Sequence, residues 1–290
     1  MRIIPSTLLI VSCFAAAGCD MLGFGDDKGP LAPSGPPSPG SNIVYAALGA
    51  SDVIGFGSSV PCLPFQDCNG AGYVWVAARQ LRSQGFTVTV SSLGIPTAVI
   101  SRAFQDIGSQ NGRPAANIIE QEMPFVPREA SVVTVFAGAN EVNRITSALG
   151  LGAGGANPTG YIDQTVAAFG ADYSTLLAGI RDRAPLARII VLNVPNLAGL
   201  PFLSGATLQQ KQAAQRAAVR MTTTAINARG DVTVVDLMCD ARFYQASIFS
   251  SDGFHPNDSG YSLLGGEITR AITSPSYPAP RSSCPQMALY

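Results

Sequence analysis

Residues 43–52 read IVYAALGASD, an apolar run that ends in small residues, a serine and an aspartate. The part from Ile43 to Leu48 is almost continuously apolar, which is typical of a strand buried on both faces of a parallel sheet. In open parallel sheets, ligands bind beyond the carboxyl ends of the strands. The residues directly after this run, Gly49 to Asp52, are therefore where chemistry is expected.

Four later runs have the same character and alternate with helical patterns. The other predicted strands are Thr87–Ser92, Ser131–Ala137, Arg188–Val194 and Val232–Leu237. The predicted helices are Tyr73–Gln84, Asp163–Arg183, Leu208–Ala228 and Ser259–Thr273, the third opening on the capping-box pair Thr207 and Gln210. This alternation predicts an α/β fold: a three-layer α/β/α sandwich, flavodoxin-like, around a five-stranded parallel sheet.

The glycine-rich segment 149–160 interrupts this alternation. Its sequence, LGLGAGGANPTG, lacks an apolar period and is rich in turn residues. We expect a mobile surface loop near the ligand edge of the sheet, with a lid over the site as the alternative.

The N-terminal residues are typical of an export signal. Residues 1–18 combine Arg2, a short apolar core and the small residues Ala16-Ala17-Gly18, and Cys19 follows directly. This order resembles the lipobox of bacterial lipoproteins, which implies acylation of Cys19, a membrane anchor and a place in the cell envelope; an ordinary signal peptide is the alternative. Residues 19–41 are rich in Pro, Gly and Ser and predict a flexible linker. Residues 42–290 then suit one domain.

Cysteine usage and charge narrow the function classes. Four cysteines remain in the predicted domain, and we favour Cys62–Cys68, which closes a small loop, and Cys239–Cys284, which pins the C-terminal tail. A metal site is weakly supported because no CxxC pair is present. Removal of Arg2 with the signal leaves 17 basic against 19 acidic side chains and no basic run, so nucleic-acid binding is unsupported.

Small residues with a chemically useful side chain follow three predicted strands directly and the last predicted strand across a short stretch. The blocks are Gly49-Ala50-Ser51-Asp52, Leu93-Gly94-Ile95-Pro96, Gly138-Ala139-Asn140-Glu141 and Asp252-Gly253-Phe254-His255, and the last holds the chain's single histidine. In this order and spacing the blocks resemble the SGNH (GDSL-type) hydrolase superfamily, over almost the whole predicted domain. The resemblance implies Ser51 as nucleophile, His255 as general base and Asp252 as the group that orients His255. It further implies an oxyanion hole made by Ser51, Gly94 and Asn140.

The chemistry of these residue types agrees with the implied roles. A serine hydroxyl needs a base that accepts its proton, and a histidine in turn needs an acceptor on its other ring nitrogen. The sequence departs from the family pattern at two positions. Family members often have Asp where this chain has Ala50, and often have Asp after the asparagine where this chain has Glu141. Neither departure removes a reacting group.

Three further features have two interpretations each. Tyr73 and Trp75 are expected in the core rather than at the substrate. Arg144 is expected on a solvated helix face, with binding of an anionic substrate group as the alternative. The apolar segment 195–203 either lines an acyl site or covers the core.

The sequence thus predicts a lipid-anchored carboxylic ester hydrolase that needs no metal or organic cofactor. Its expected partners are an acyl-ester substrate and the membrane, and we expect a monomer. The alternatives are a carbohydrate O-deacetylase or acyltransferase and, outside enzymes, a non-catalytic ligand-binding lipoprotein. A nucleotide site is disfavoured because Gly49, Gly55 and Gly57 do not form GxGxxG.

Overall fold

The computed structural model describes residues 35–290. The predicted signal peptide, Cys19 and most of the predicted linker lie outside these residues.

A five-stranded parallel sheet forms the centre of the molecule. Its strands are β1 (Asn42–Gly49), β2 (Thr87–Ser92), β3 (Val132–Phe136), β4 (Arg188–Leu192) and β5 (Thr233–Val235), in the spatial order β2-β1-β3-β4-β5. Gly49 pairs with Phe136, and Ala47 pairs with Ser92. This register brings the carboxyl ends of β1, β2 and β3 to one edge, so the residues that follow them meet there.

Helices cover both faces of the sheet. They are α1 (Tyr73–Ser83), α2 (Arg102–Gln110), α3 (Ile118–Gln121), α4 (Ala139–Gly150), α5 (Pro158–Arg183), α6 (Leu208–Arg220) and α7 (Asp258–Thr273). Helices α1 and α7 pack together, while α4 packs against α2, α5 and α6. The predicted three-layer α/β/α sandwich is confirmed.

Burial along the strands follows their place in the sheet. Every residue of β3 and β4 is buried, as their apolar sequences predict. Edge strand β2 instead alternates, with Thr87 and Thr89 exposed on either side of the buried Val88, so its start is covered on one face only. Tyr73 and Trp75 on α1 are fully buried, in agreement with the core prediction.

The predicted helix 208–228 has a different second half. It begins at Leu208 with the expected capping box, but the α-helix ends at Arg220 and a wider π-helical turn, Met221–Ile226, continues it. Within that turn the Thr222 hydroxyl donates to the Val194 carbonyl oxygen and accepts from the Val194 N–H. The turn thus fixes the chain directly after β4.

Both favoured disulfides are present. Cys62–Cys68 closes a loop between β1 and α1, and Cys239–Cys284 ties the C-terminal segment to the chain after β5. Across residues 35–290, no helix combines the length and the apolarity that crossing a bilayer requires.

Candidate active site

Ser51, His255 and Asp252 form a continuous chain of hydrogen bonds. Ser51 Oγ lies 2.7 Å from His255 Nε2, and His255 Nδ1 lies 2.6 Å from Asp252 Oδ2. Ser51 comes from the turn after β1, whereas the other two come from the loop before α7, so the fold joins residues that are 204 positions apart. The structure brings together the three side chains that the sequence singled out.

The loop around Asp252 holds its carboxylate in one orientation. Oδ1 accepts hydrogen bonds from the backbone N–H groups of Phe254 and His255 and from the Ser250 hydroxyl, which leaves Oδ2 for the His255 ring. Partial burial acts to raise the pKa of Asp252. The hydrogen bonds from His255, Phe254 and Ser250 outweigh burial and lower the pKa from 3.8 to about 2. Asp252 is therefore ionised at neutral pH.

Aromatic rings enclose the imidazole. The rings of Phe56 and Phe254 meet the His255 ring edge to face, with centroids 4.7 Å and 4.9 Å away. Gly57 lies behind it, where an added Cβ would come within 2.9 Å of His255 Cβ. These contacts restrict the imidazole to the orientation that faces Ser51.

The predicted oxyanion groups lie at the same edge of the sheet. Among residues 35–290, neither the Ser51 N–H nor the Gly94 N–H donates to another backbone group. Asn140 uses one amide N–H of Nδ2 on the Ala98 carbonyl oxygen, at 2.8 Å, and this fixes the direction of the other. Gly94 is packed so tightly on Ala50 and Val53 that a side chain there would collide with Val53.

A cavity of about 420 Å³, here called the Ser51 cavity, opens onto the catalytic candidates and Asn140. Ser51, Asn140, Asp252 and His255 all line it, whereas Gly94 is buried and is absent from its wall. The volume suits a small-molecule ligand. The remaining wall residues include the aromatic side chains of Phe202 and Phe254 and two arginines, Arg113 and Arg144.

The apolar segment 195–203 contributes both to the core and to the Ser51 cavity. Leu197 and Leu200 are buried in the core, while Phe202 is half-buried and lines the Ser51 cavity. Phe202 contacts Phe254 edge to face, with ring centroids 4.9 Å apart. This aromatic pair gives the cavity an apolar wall.

The glycine-rich segment does not border the Ser51 cavity. Helix α4 extends to Gly150 and α5 begins at Pro158, so the loop between them is shorter than predicted. It lines a separate cavity of about 830 Å³ with α6, whose wall includes none of the Ser51, Asn140, Asp252 and His255 group. Nothing in this arrangement supports the lid alternative.

Glu122 joins the two loops that carry Ser51 and Gly94. Its side chain is fully buried, with Oε2 accepting from the Gly49 N–H at 2.8 Å and Oε1 from the Ile95 N–H at 3.1 Å. Burial raises its pKa from 4.5 to about 8, and the two backbone hydrogen bonds offset only part of this rise. The carboxyl group thus connects the chain before the serine with the chain after the glycine.

Glu141 has a similar role beside Asn140. Its Oε1 accepts from the Ile100 N–H at 2.5 Å, which links the start of α4 to the loop after β2. Burial raises its pKa from 4.5 to about 7 despite hydrogen bonds from the backbone and the charge of Arg144. Glu141, one of the two departures from the family pattern, therefore links α4 to the loop after β2. It lies directly after Asn140, whose amide is a predicted oxyanion donor.

These two buried carboxyl groups predict that the protein loses stability as the pH rises. In the unfolded chain both ionise near pH 4.5, whereas in the folded chain they keep their protons up to about pH 7 and 8. Their contribution to stability is complete below pH 4.5 and is lost as the pH rises through those folded values. We expect the urea midpoint to fall between pH 5 and pH 8.5. Asp252 does not change the pH dependence of stability in this window. Its lowered pKa stabilises the folded protein at all pH values above 3.8, and this stabilisation is lost only below that value.

The matched variants are Glu122→Gln and Glu141→Gln. Each replaces one titrating carboxyl group by an amide that does not titrate. Each is expected to flatten the pH dependence of the urea midpoint, whatever its effect on stability at one pH. A wild-type midpoint that stays constant or rises over this range would contradict the assignment.

Sequence reasoning missed Glu122 and Arg113 and placed Arg144 wrongly. Arg144 is only 7% exposed and lines the Ser51 cavity, so the solvated helix face expected for it is wrong. Its spacing of four residues from Asn140 was the available signal, since residues i and i+4 share a helix face. Nothing in the local sequence distinguishes Glu122 or Arg113 from ordinary surface residues.

Comparison with solved structures identifies similar folds. The lipase Lip_vut3 from a goat rumen metagenome is 17% identical, with 79% of this chain and 97% of that chain covered and a TM-score of 0.51. An extracellular lipase from Streptomyces rimosus is 18% identical, with 80% and 100% covered and a TM-score of 0.48. At such identity the first likeness supports the fold alone, and the second is too distant to add to it.

Sequence comparison gives the family. No curated protein matches the chain significantly. The model of the GDSL-like Lipase/Acylhydrolase family matches residues 47–263, which is well over half of the chain and includes all four blocks. This chain belongs to the GDSL-like lipase/acylhydrolase family.

Proposed function

We propose that this hydrolase cleaves carboxylic esters through an acyl-enzyme formed on Ser51. The observation that carries the proposal is the chain of two short hydrogen bonds from Ser51 through His255 to Asp252, open to the Ser51 cavity. A serine whose hydroxyl contacts an oriented imidazole is the arrangement that acyl transfer requires.

In the first half of the reaction, Ser51 Oγ attacks the ester carbonyl carbon while His255 Nε2 takes the hydroxyl proton. The ionised Asp252 accepts a hydrogen bond from Nδ1 and stabilises the imidazolium that forms. Collapse of the tetrahedral intermediate breaks the bond to the leaving alcohol, which receives its proton from Nε2. The acyl group remains on Ser51.

Negative charge on the carbonyl oxygen needs preorganised donors. The N–H groups of Ser51 and Gly94 and the second amide N–H of Asn140 are the candidates, and one such donor is commonly worth roughly 3–4 kcal/mol of barrier. Glu122 and Glu141 position the loops that carry them. In the second half, His255 Nε2 deprotonates water, which attacks the acyl carbon. Collapse of this intermediate breaks the bond to Ser51 Oγ, which takes the proton back from Nε2, and the acid is released.

A panel of p-nitrophenyl esters from acetyl to dodecanoyl tests this function. We expect turnover of esters in this panel, because Ser51 lines a cavity of about 420 Å³, a volume that suits a small-molecule ligand. A strict preference for acetyl would favour the O-deacetylase alternative. No turnover of any ester by folded protein would contradict the proposal and favour a ligand-binding lipoprotein.

We further propose that the enzyme is anchored by acyl chains on Cys19 at the cell envelope. The sequence order Ala16-Ala17-Gly18-Cys19 supports this, and two disulfides in the folded domain fit an exported protein. Full-length protein is expected in the membrane fraction. Equal partition of wild type and Cys19→Ser into the soluble fraction would contradict the anchor.

A further inference from the structure

Arg144 lies in the wall of the Ser51 cavity although it is almost completely buried. It is one helical turn after Asn140 on α4, and it is 7% exposed. Its guanidinium packs beside Gly108 of α2, where an added Cβ would lie 3.2 Å from Nε and 3.4 Å from Cζ. The absence of a side chain at Gly108 thus makes room for this cation.

The guanidinium of Arg144 has no hydrogen-bond acceptor among residues 35–290. In the part of the chain that the structure describes, no hydrogen bond or ion pair within 4 Å reaches it. Burial lowers its pKa, and the charge of Arg113 lowers it further, while Glu141 raises it. An arginine nonetheless stays protonated in proteins. Among residues 35–290, Glu141 interacts with this charge without a hydrogen bond or an ion pair, so the guanidinium nitrogens remain available to an anionic ligand in the cavity.

Arg113 adds a second positive charge to the same wall. It comes from the connection between α2 and α3, and its side chain is exposed. The acidic residue in the wall is Asp252, which is already paired with His255 at 2.6 Å. The Ser51 cavity therefore combines an apolar wall of Phe202 and Phe254 with two cations that are free to bind a ligand.

We propose that the preferred ester carries an anionic group, phosphate or carboxylate, which Arg144 and Arg113 bind while Ser51 attacks the ester carbonyl. This inference rests on the ester hydrolase function and specifies its substrate class. The planar guanidinium matches both oxyanions because it donates two parallel hydrogen bonds to them. Phe202 and Phe254 are left to contact the apolar part of the ester.

Three butyrate esters that differ only in the alcohol test the inference. They are monobutyroylglycerol, butyroylglycerol 3-phosphate and O-butyroylglycerate, which carry no charge, a phosphate and a carboxylate. We expect the wild-type kcat/KM to be at least about tenfold higher on one or both anionic esters than on the neutral one. Loss of a charge-assisted hydrogen bond typically costs roughly 10- to 100-fold, so Arg144→Met and Arg113→Ala should each lower that selectivity ratio by this range.

Arg128→Ala is the matched control. Arg128 is exposed and lies outside the wall of the Ser51 cavity, so its loss removes the same charge without removing a cavity residue. It should leave the selectivity ratio unchanged. Arg113→Ala keeps the test decisive if Arg144→Met does not fold, since Arg113 is exposed. The ester whose kcat/KM falls in the cavity variants, the phosphate or the carboxylate, identifies the anion.

Equal wild-type kcat/KM on the neutral and both anionic esters would overturn the inference, as would a ratio unchanged in both cavity variants. If no ester is hydrolysed, the proposed function fails and the anion site is tested by calorimetric binding instead. Glycerol 3-phosphate and glycerate are the probes, on wild-type protein and Arg113→Ala. Binding that weakens at least about tenfold in the variant supports the site, and no binding of either probe overturns it.

Discussion

Ser51→Ala is expected to lower kcat for ester hydrolysis by a factor on the order of 10⁴ to 10⁶, the range seen when a serine nucleophile is removed. The substitution deletes the oxygen that lies 2.7 Å from His255 Nε2 and so prevents the acyl-enzyme. It keeps the Ser51 backbone N–H, and alanine fits the space of a serine that is 7% exposed. Steady-state hydrolysis of p-nitrophenyl butyrate, on protein with unchanged circular dichroism, measures the effect.

Ser59→Ala is the matched control for this experiment. Ser59 is an exposed serine of the segment after β1, its hydroxyl donates to Asp258, and it lies outside the Ser51 cavity. The control should retain kcat within about a factor of two. Activity of Ser51→Ala within tenfold of wild type would exclude Ser51 as the nucleophile.

Asp252→Asn is expected to lower kcat by roughly 10⁴, the loss known for such a change in a serine–histidine–aspartate triad. The asparagine oxygen can still accept the backbone N–H groups of Phe254 and His255, so the loop keeps its shape. Its amide nitrogen then faces His255 Nδ1 in place of Asp252 Oδ2, which selects the wrong tautomer and leaves the imidazolium without a counterion. Because asparagine keeps the size of the side chain in the cavity wall, we expect KM to change little.

Asp258→Asn provides the comparison for that loss. Asp258 is the first residue of α7 and hydrogen-bonds Ser59 rather than His255. A loss in this control as large as in Asp252→Asn would show that a general change of charge near α7, and not the orientation of His255, causes the effect. Full activity of Asp252→Asn would remove Asp252 from the mechanism.

The sheet and the main site side chains were predictable because they depend on local sequence. Apolar runs set the strands, and small residues mark the ends of β1, β2 and β3, so the rule for parallel sheets places Ser51, Gly94 and Asn140 at one edge. His255 lies in the loop before α7, and its place in the same site was implied by the resemblance to the SGNH hydrolases. Because the chain has a single histidine, only His255 could be predicted as an imidazole base. The two disulfides followed from their positions at a small loop and at the C-terminal tail.

The supporting residues were not predictable, because their environment is made by distant parts of the chain. Glu122 is buried only because the loops after β1 and β2 close around it and supply two N–H groups. Arg144 is buried only because Gly108 of another helix leaves space for it. Helix α2, with its polar sequence RAFQDIGSQ, was likewise missed, since few apolar residues mark its inward face.

The most direct test of the central claim is the mass of the intact protein after reaction with a fluorophosphonate ester, followed by peptide mapping. Such a reagent stays bound to a serine oxygen that an adjacent base has activated. The account predicts one adduct per chain, on the peptide that contains Ser51, and none in Ser51→Ala. An adduct on another serine, or no adduct on folded wild-type protein that hydrolyses esters, would contradict it.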